Sequence, residues 1–210
     1  VESPAGDDTR TWSPPLRDGV STYYLGVNRN KRSVSLDLKD DGDLAAAREL
    51  ARRADVLIEN FKPGGLARFG LDYESVSADN PGVVYASISG FGAGQGAALP
   101  GYDLIVQAIS GLMSLTGEPD RPPMKVGVAL TDLLTGMYAA TAVLAALAER
   151  ARSGRGQHVD LALLDVQVAA LANQAESFLV TGRAPGRLGN AHPSIVPYQT
   201  LPVADGHLVV

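Results

Sequence analysis

Val83-Val84-Tyr85-Ala86-Ser87-Ile88 runs directly into Ser89-Gly90-Phe91-Gly92-Ala93-Gly94-Gln95-Gly96. The first six residues form a short, mostly apolar run, the composition of a strand covered on both faces. The glycine-rich stretch after them predicts a loop at the strand's carboxyl end. Working outward, Val56-Leu57-Ile58 reads as a second buried strand, closed by Glu59-Asn60-Phe61-Lys62-Pro63-Gly64-Gly65. Ser33-Val34-Ser35-Leu36-Asp37-Leu38 alternates like a third. Helical spacing covers 44–53 and, interrupted near Gly70, 66–78. Downstream, 102–115 and 133–150 predict long apolar helices, the second stopped by Ser153-Gly154-Arg155-Gly156. A strand at 157–161, a helix over 162–180, a loop over 182–197 and a hairpin turning at Asp205-Gly206 complete the pattern. Residues 1–20, rich in proline, predict an irregular loop. Strands alternating with helices predict an α/β fold: a Rossmann-like parallel sheet with flanking helices. Ligands of such sheets sit beyond the carboxyl ends of the strands, so the loops after Leu38, Ile58 and Ile88 are the places to search.

The 210 residues are 45% hydrophobic and 20% charged, an ordinary globular balance, with net charge -5. That sign disfavours nucleic acid, which needs a basic face. The absence of cysteine removes disulfides, thiolate zinc sites and a cysteine nucleophile, and it is consistent with a cytoplasmic location. His158, His192 and His207 lack metal-ligand spacing, so no metal is expected. The apolar run around 137–147 is short and alanine-rich, so no membrane span is expected. The start at Val1 in a turn-like stretch and the end at His207-Leu208-Val209-Val210 read as the ends of a fragment.

Several clusters could carry chemistry, and each has a plain structural alternative. Asn28-Arg29-Asn30-Lys31-Arg32 with Lys39 could hold phosphates, or form a solvated turn. Asn60 and Phe61 could read and stack a nucleotide, or make an ordinary strand-to-helix turn. The loop 90–96 lacks the third glycine of the dinucleotide fingerprint, where Ala97 stands, and Leu99-Pro100 precludes an immediate helix. It reads as an adjustable loop beside a site, and it argues against a nicotinamide-dependent oxidoreductase. Asp132, in Leu130-Thr131-Asp132-Leu133, opens an apolar helix. Residue type alone makes it an N-cap that the helix terminus keeps ionised, and an ionised carboxylate in apolar surroundings can act as a nucleophile. Asp165 reads as a structural contact and Asp103 as a first-turn acid. Tyr102 could point into a site. No Gly-x-Ser-x-Gly elbow, Walker loop or His-Glu-x-x-His motif is present.

Taken together, six strings resemble the class III CoA transferases (the CaiB/BaiF family), which include formyl-CoA transferase, carnitine CoA-transferases and α-methylacyl-CoA racemase. They are 28–33, Ala54-Asp55-Val56-Leu57-Ile58-Glu59-Asn60-Phe61-Lys62-Pro63-Gly64, Ser87-Ile88-Ser89-Gly90-Phe91-Gly92, Gly101-Tyr102-Asp103, Thr131-Asp132-Leu133-Leu134-Thr135-Gly136 and Gly154-Arg155-Gly156-Gln157-His158-Val159-Asp160. They run in family order across essentially the whole chain.

The resemblance implies a fragment of the family's two-domain fold. Residues 1–180 would be the large CoA-binding α/β domain without its first strand and helix, and 181–210 the start of a linker and small domain. It puts the nucleophile on Asp132 and CoA contacts on Leu36, Asp37, Leu38, Lys39, Asn60, Phe61, Lys62, Arg68 and Tyr102. A family arginine near the start falls on Ser3. A glycine-rich covering loop falls on Gly189-Asn190-Ala191-His192-Pro193-Ser194, which is not glycine-rich. The implied substrates are an acyl-CoA thioester and a carboxylic acid, with no tightly bound cofactor, and the full-length protein would be an interlocked homodimer. The racemase branch has a histidine where this chain has Tyr102. A phenol ordinarily titrates near 10, which favours transfer over racemisation. Strings 194–199 and 27–31 look most like the branch that uses succinyl-CoA and dicarboxylic acids such as glutarate, with Arg183, Arg187 or His192 for the distal carboxylate. The alternatives are an acyl-CoA racemase or epimerase and a non-catalytic CoA-binding subunit.

Overall fold

A computed structural model describes residues 1–210. In chain order the elements are β1 (Leu16–Arg17), β2 (Val20–Ser21), α1 (Thr22–Val27), α2 (Asp41–Arg53), β3 (Val56–Glu59), α3 (Tyr73–Asp79), β4 (Val84–Ser89), α4 (Asp103–Ile109), α5 (Leu112–Leu115), α6 (Leu130–Ser153), β5 (His158–Ala162), α7 (Leu163–Ala170), α8 (Asn173–Thr181), β6 (Thr200–Val203) and β7 (Gly206–Val209), with 3-10 turns at Asp8–Thr11 and Ala67–Phe69. Two compact units result: Val1–Ala54 with Leu66–Pro81, and Asp55–Gly65 with Gly82–Val210.

The first unit is organised around α2 and a carboxylate hub. Asp40 caps α2 by accepting from the amides of Gly42 (2.9 Å) and Asp43 (3.0 Å). At the other end, Asn80 donates to the carbonyls of Ala51 (3.3 Å) and Ala54 (2.8 Å). Acids in its first turn and Arg52 and Arg53 in its last suit the helix dipole. Ala47 and Ala51 of α2 and Val76 of α3 are buried, and the two helices pack together. Glu2 is the hub. It accepts two bonds from Arg10 (both 2.7 Å), one from the Asp7 amide (2.9 Å), one from Tyr24 (3.3 Å) and one from Ser33. The strand expected at 33–38 is reduced to one parallel bridge, Glu2↔Ser35. The ladder stops because the chain turns away at once, the Gly6 amide closing on Ser3 O (2.8 Å).

In the second unit the sheet is parallel, in the order β3-β4-β5, as the strand–helix alternation predicts. Its centre is the opening stretch: Val83, Val84, Tyr85 and Ala86 are all buried. Gly156 is needed beside it, since a Cβ there would lie 1.8 Å from Val83 O. Two predicted helices are broken. Gly111 (φ +95) separates α4 from α5. Ala172 (φ 48) separates α7 from α8, after the amides of Leu171 and Ala172 bond back three residues to Val168 and Ala169. Leu-Ala-Asn gives no sequence signal for that second break. Helix α6 is, by length and composition, apolar enough to cross a membrane, beyond what the 137–147 run indicates. It packs instead on β4, β5, α4 and α7. The hairpin β6–β7 turns at Ala204 and Asp205.

Candidate active site

The carboxyl ends of β3 and β4 and the start of α6 surround an open cavity of about 600 Å³ within the second unit. After β3 the chain turns on Glu59, whose carboxylate accepts from the Phe61 amide (2.7 Å) and sets the following residues. Asn60, Phe61 and Lys62 line the cavity, and Phe61 is 51% exposed, an uncovered ring. After β4 the loop is pinned at its base rather than free throughout. Gly90 and Gly101 meet backbone to backbone, so a Cβ on Gly90 would lie 2.3 Å from the Cα of Gly101. No side chain fits between them. The Gly92 amide (φ +74) bonds Ser89 Oγ (2.9 Å). This closure delivers Tyr102 to the cavity wall, 67% exposed.

Asp132 faces the same cavity from the first turn of α6. It is not the cap of that helix. The N-cap is Ala129, which has no side chain able to accept, and the free amides are met from α4. Asp103 Oδ1 accepts from Thr131 N (2.8 Å) and from Asp132 N (3.4 Å). The Asp132 carboxyl is thus left free of the backbone and turned toward the cavity. The helix terminus is not what sets its titration. Desolvation by the cavity walls first, and the negative charge of Asp103 second, raise its carboxyl from the ordinary value.

Asp103 is the residue that sequence reasoning passed over. The available signal was Gln107, four residues on and therefore on the same helical face, polar within Leu104-Ile105-Val106-Gln107. Gln107 is fully buried and donates to Asp103 Oδ2 (2.6 Å). Asp165 is exposed. No group of His, Cys, Asp or Glu is arranged to hold a metal ion.

CoA-transferase family III matches residues 1–210. The chain belongs to that family. It is 54% identical to the succinate–glutarate CoA-transferase of Agrobacterium fabrum, covering 100% of this chain and 54% of the relative. It is 45% identical to human succinyl-CoA:glutarate CoA-transferase, covering 100% and 48%. A crystal structure of a CaiB/BaiF family protein from Brucella suis superposes with TM-score 0.92 at 51% identity, over 100% of this chain and 57% of that one. The chain therefore spans about half the length of the family III relatives it matches.

Of the residues that the family resemblance nominates, Asn60, Phe61, Lys62, Tyr102 and Asp132 come together around the one cavity. The others belong to the first unit. Leu36 is buried and its amide bonds Glu2 O (2.9 Å), so its side chain faces the core. Asp37 accepts from the Lys39 amide (3.0 Å) and so shapes the turn 37–40. The side chains of Leu38 and Lys39 follow from that turn, and the Arg68 guanidinium lies 4.5 Å over the Phe69 ring. Within the second unit, Arg187 donates to the carbonyls of Glu118 (3.1 Å) and Pro119 (3.3 Å), and the Gly189 amide bonds Gly117 O (3.0 Å). Those bonds strap the 187–189 segment to 117–119. The His192 ring accepts from the Ser194 amide through Nδ1 (3.0 Å).

Proposed function

We propose that the protein containing this chain transfers CoA from a donor acyl-CoA to a carboxylic acid, with Asp132 as the covalent carrier. The observation that carries the reading is the Asp132 carboxyl, unbonded by donors and open to a cavity whose wall offers an aromatic face, an amide, a cation and a phenol. An amide and a ring suit a pantetheine arm or adenine, and a cation suits phosphate.

The steps balance without another reagent. An Asp132 oxygen attacks the thioester carbonyl, the C–S bond breaks, and CoA leaves as thiolate from a mixed anhydride. The thiolate attacks the Asp132 carbonyl carbon, the anhydride C–O bond breaks, and the donor acid leaves as carboxylate. The acceptor carboxylate then reverses both steps, ending on acceptor acyl-CoA and free Asp132. Dividing one exchange into four steps lowers each barrier. Leu36, Asp37, Leu38, Lys39 and Arg68 are proposed as further CoA contacts.

Resemblance to succinate–glutarate relatives makes succinyl-CoA the expected donor and a dicarboxylate such as glutarate the expected acceptor. A homodimer, a cytoplasmic location and a second domain beginning in 181–210 belong to the same proposal. Racemisation is the second reading, and the phenol of Tyr102 in the wall, where a base would be needed, argues against it. The test is mass spectrometry of the full-length protein incubated with succinyl-CoA: an adduct on the peptide holding Asp132 is expected, and none anywhere, or an adduct elsewhere, sinks the proposal. A panel of acceptor acids then identifies the second substrate.

A further inference from the structure

A buried polar chain joins three helices behind the cavity. The Gln107 amide has a fixed orientation, because its Oε1 accepts from the Val126 amide (3.0 Å) while its Nε2 donates to Asp103 Oδ2 (2.6 Å). The other Asp103 oxygen takes the first free amides of α6, at 2.8 Å and 3.4 Å. Thr131, between those contacts and Asp132, donates through Oγ1 to Gln167 Oε1 on α7 (2.7 Å). Gln107, Thr131 and Gln167 are fully buried. The first turn of α6 is therefore held from two sides, and the group held beside it by Gln107 is a second carboxylate.

We infer that Asp103 is the positioning residue for Asp132: it sets the place of the α6 first turn and keeps a like charge beside the carrier, so that acylating the carrier is favoured. The inference rests on the reading of Asp132 as carrier. Net formation of the covalent state converts donor acyl-CoA and the Asp132 carboxylate into an aspartyl-CoA thioester and a free donor carboxylate. The site loses one negative charge, and solution takes it up. Repulsion from Asp103 is present only before that step, so the neighbour raises the free enzyme and not the intermediate. Other charged or titratable groups line the same cavity: Glu59 and Lys62 from the end of β3, and Tyr102 before α4; Asp165, on α7 packed against α6, is exposed and does not line it. The charge that adds to desolvation in raising the Asp132 carboxyl is instead that of Asp103.

The experiment compares full-length wild type with Asp103→Asn, which keeps the shape and an acceptor for Thr131 N, and Asp103→Glu, which keeps the charge. Two quantities are read: the ratio of Asp132 thioester adduct to free enzyme at fixed succinyl-CoA and succinate, and the acidic limb of kcat/KM against pH. Asp103→Asn is expected to lower the adduct ratio about 3- to 10-fold and to move the acidic limb to lower pH by a matching amount, as tenfold corresponds to one pH unit. Asp103→Glu is expected to keep both near wild type. A purely structural role would lower turnover and leave the limb in place. Should Asp103→Asn not fold, Asp103→Asn/Gln107→Glu rebuilds the hydrogen bond and moves the charge one helical turn away, with the same expected shift. A wild-type limb and ratio in the neutral variant, or the same shift in Asp103→Glu, overturns the inference. A wild type that forms no Asp132 adduct overturns the transferase reading instead.

Discussion

Glu2 in the first unit and Asp132 in the second are the same functional group in opposite settings. Glu2 accepts from Arg10, Ser33, the Asp7 amide and Tyr24, and the bonds from Arg10, then Ser33, then the Asp7 amide hold its carboxyl far below the usual range. Asp132, exposed to the cavity, is partly desolvated by the surrounding walls and has a like-charged neighbour, and its carboxyl is raised. A carboxylate saturated with donors is stabilised as a charge and is a weak nucleophile. One deprived of donors is costly to the fold and ready to react. The contrast separates an acid that holds a loop together from an acid placed for chemistry.

The comparison breaks first on activity. Asp132→Ala is expected to reduce CoA transfer by about 10³-fold or more, the scale of removing a covalent nucleophile, measured as kcat on the full-length enzyme. Normal turnover in that variant would return Asp132 to a structural acid. Next comes the closure that delivers Tyr102 and Asp103. Gly90→Ala forces a methyl into the backbone of Gly101. A loss of about 3 kcal/mol, near the upper end for overpacking, is expected in denaturant unfolding. An unchanged midpoint would mean that the loop is not pinned.

The stability of the two acids should then move in opposite directions with pH. Asp132 has a raised folded-state pKa, so its favourable contribution is full below its unfolded value and is lost as pH rises through the folded one. Asp132→Asn should therefore raise the thermal midpoint at neutral pH and leave it unchanged in acid. Glu2 has a depressed value, so its contribution is present above its unfolded value near 4.5 and is lost as pH falls below it. Glu2→Gln should lower the midpoint at neutral pH, with the deficit shrinking in acid. Equal signs at neutral pH would erase the contrast. The smallest effect belongs to Glu49, exposed beside Arg52 and Arg53, which bring it down to about 2. Solvent screens such pairs, so Glu49→Gln should move the neutral-pH midpoint by no more than about 2 °C.

Much of this was legible in the residues. The run 83–88 and its glycine loop marked the central strand and its carboxyl end, because a continuous apolar run is what a doubly covered strand requires. Gly154 marked a helix boundary through its backbone freedom, whereas Gly111 breaks the helix expected over 102–115. The break at Ala172 was invisible, since its neighbours are ordinary helix formers. The strand at 33–38 was over-read, since alternation shows which residues could pair but not whether a partner strand lies alongside. Asp132 was legible as a residue of interest and misread as a cap. Capping depends on which side chain reaches the free amides, and here one 28 residues upstream in the chain reaches them.

By itself, then, the sequence determined the parallel α/β pattern, the loops that could hold a site and the family. These depend on local periodicity, on glycine placement and on strings of adjacent residues. Only the tertiary structure decided that Asp103 caps α6, that Gln107 holds Asp103, and that Asp132 is left without donors and with a raised carboxyl. Those are through-space properties: burial and a neighbouring charge act over a few ångströms between helices whose separation in the chain carries no local mark.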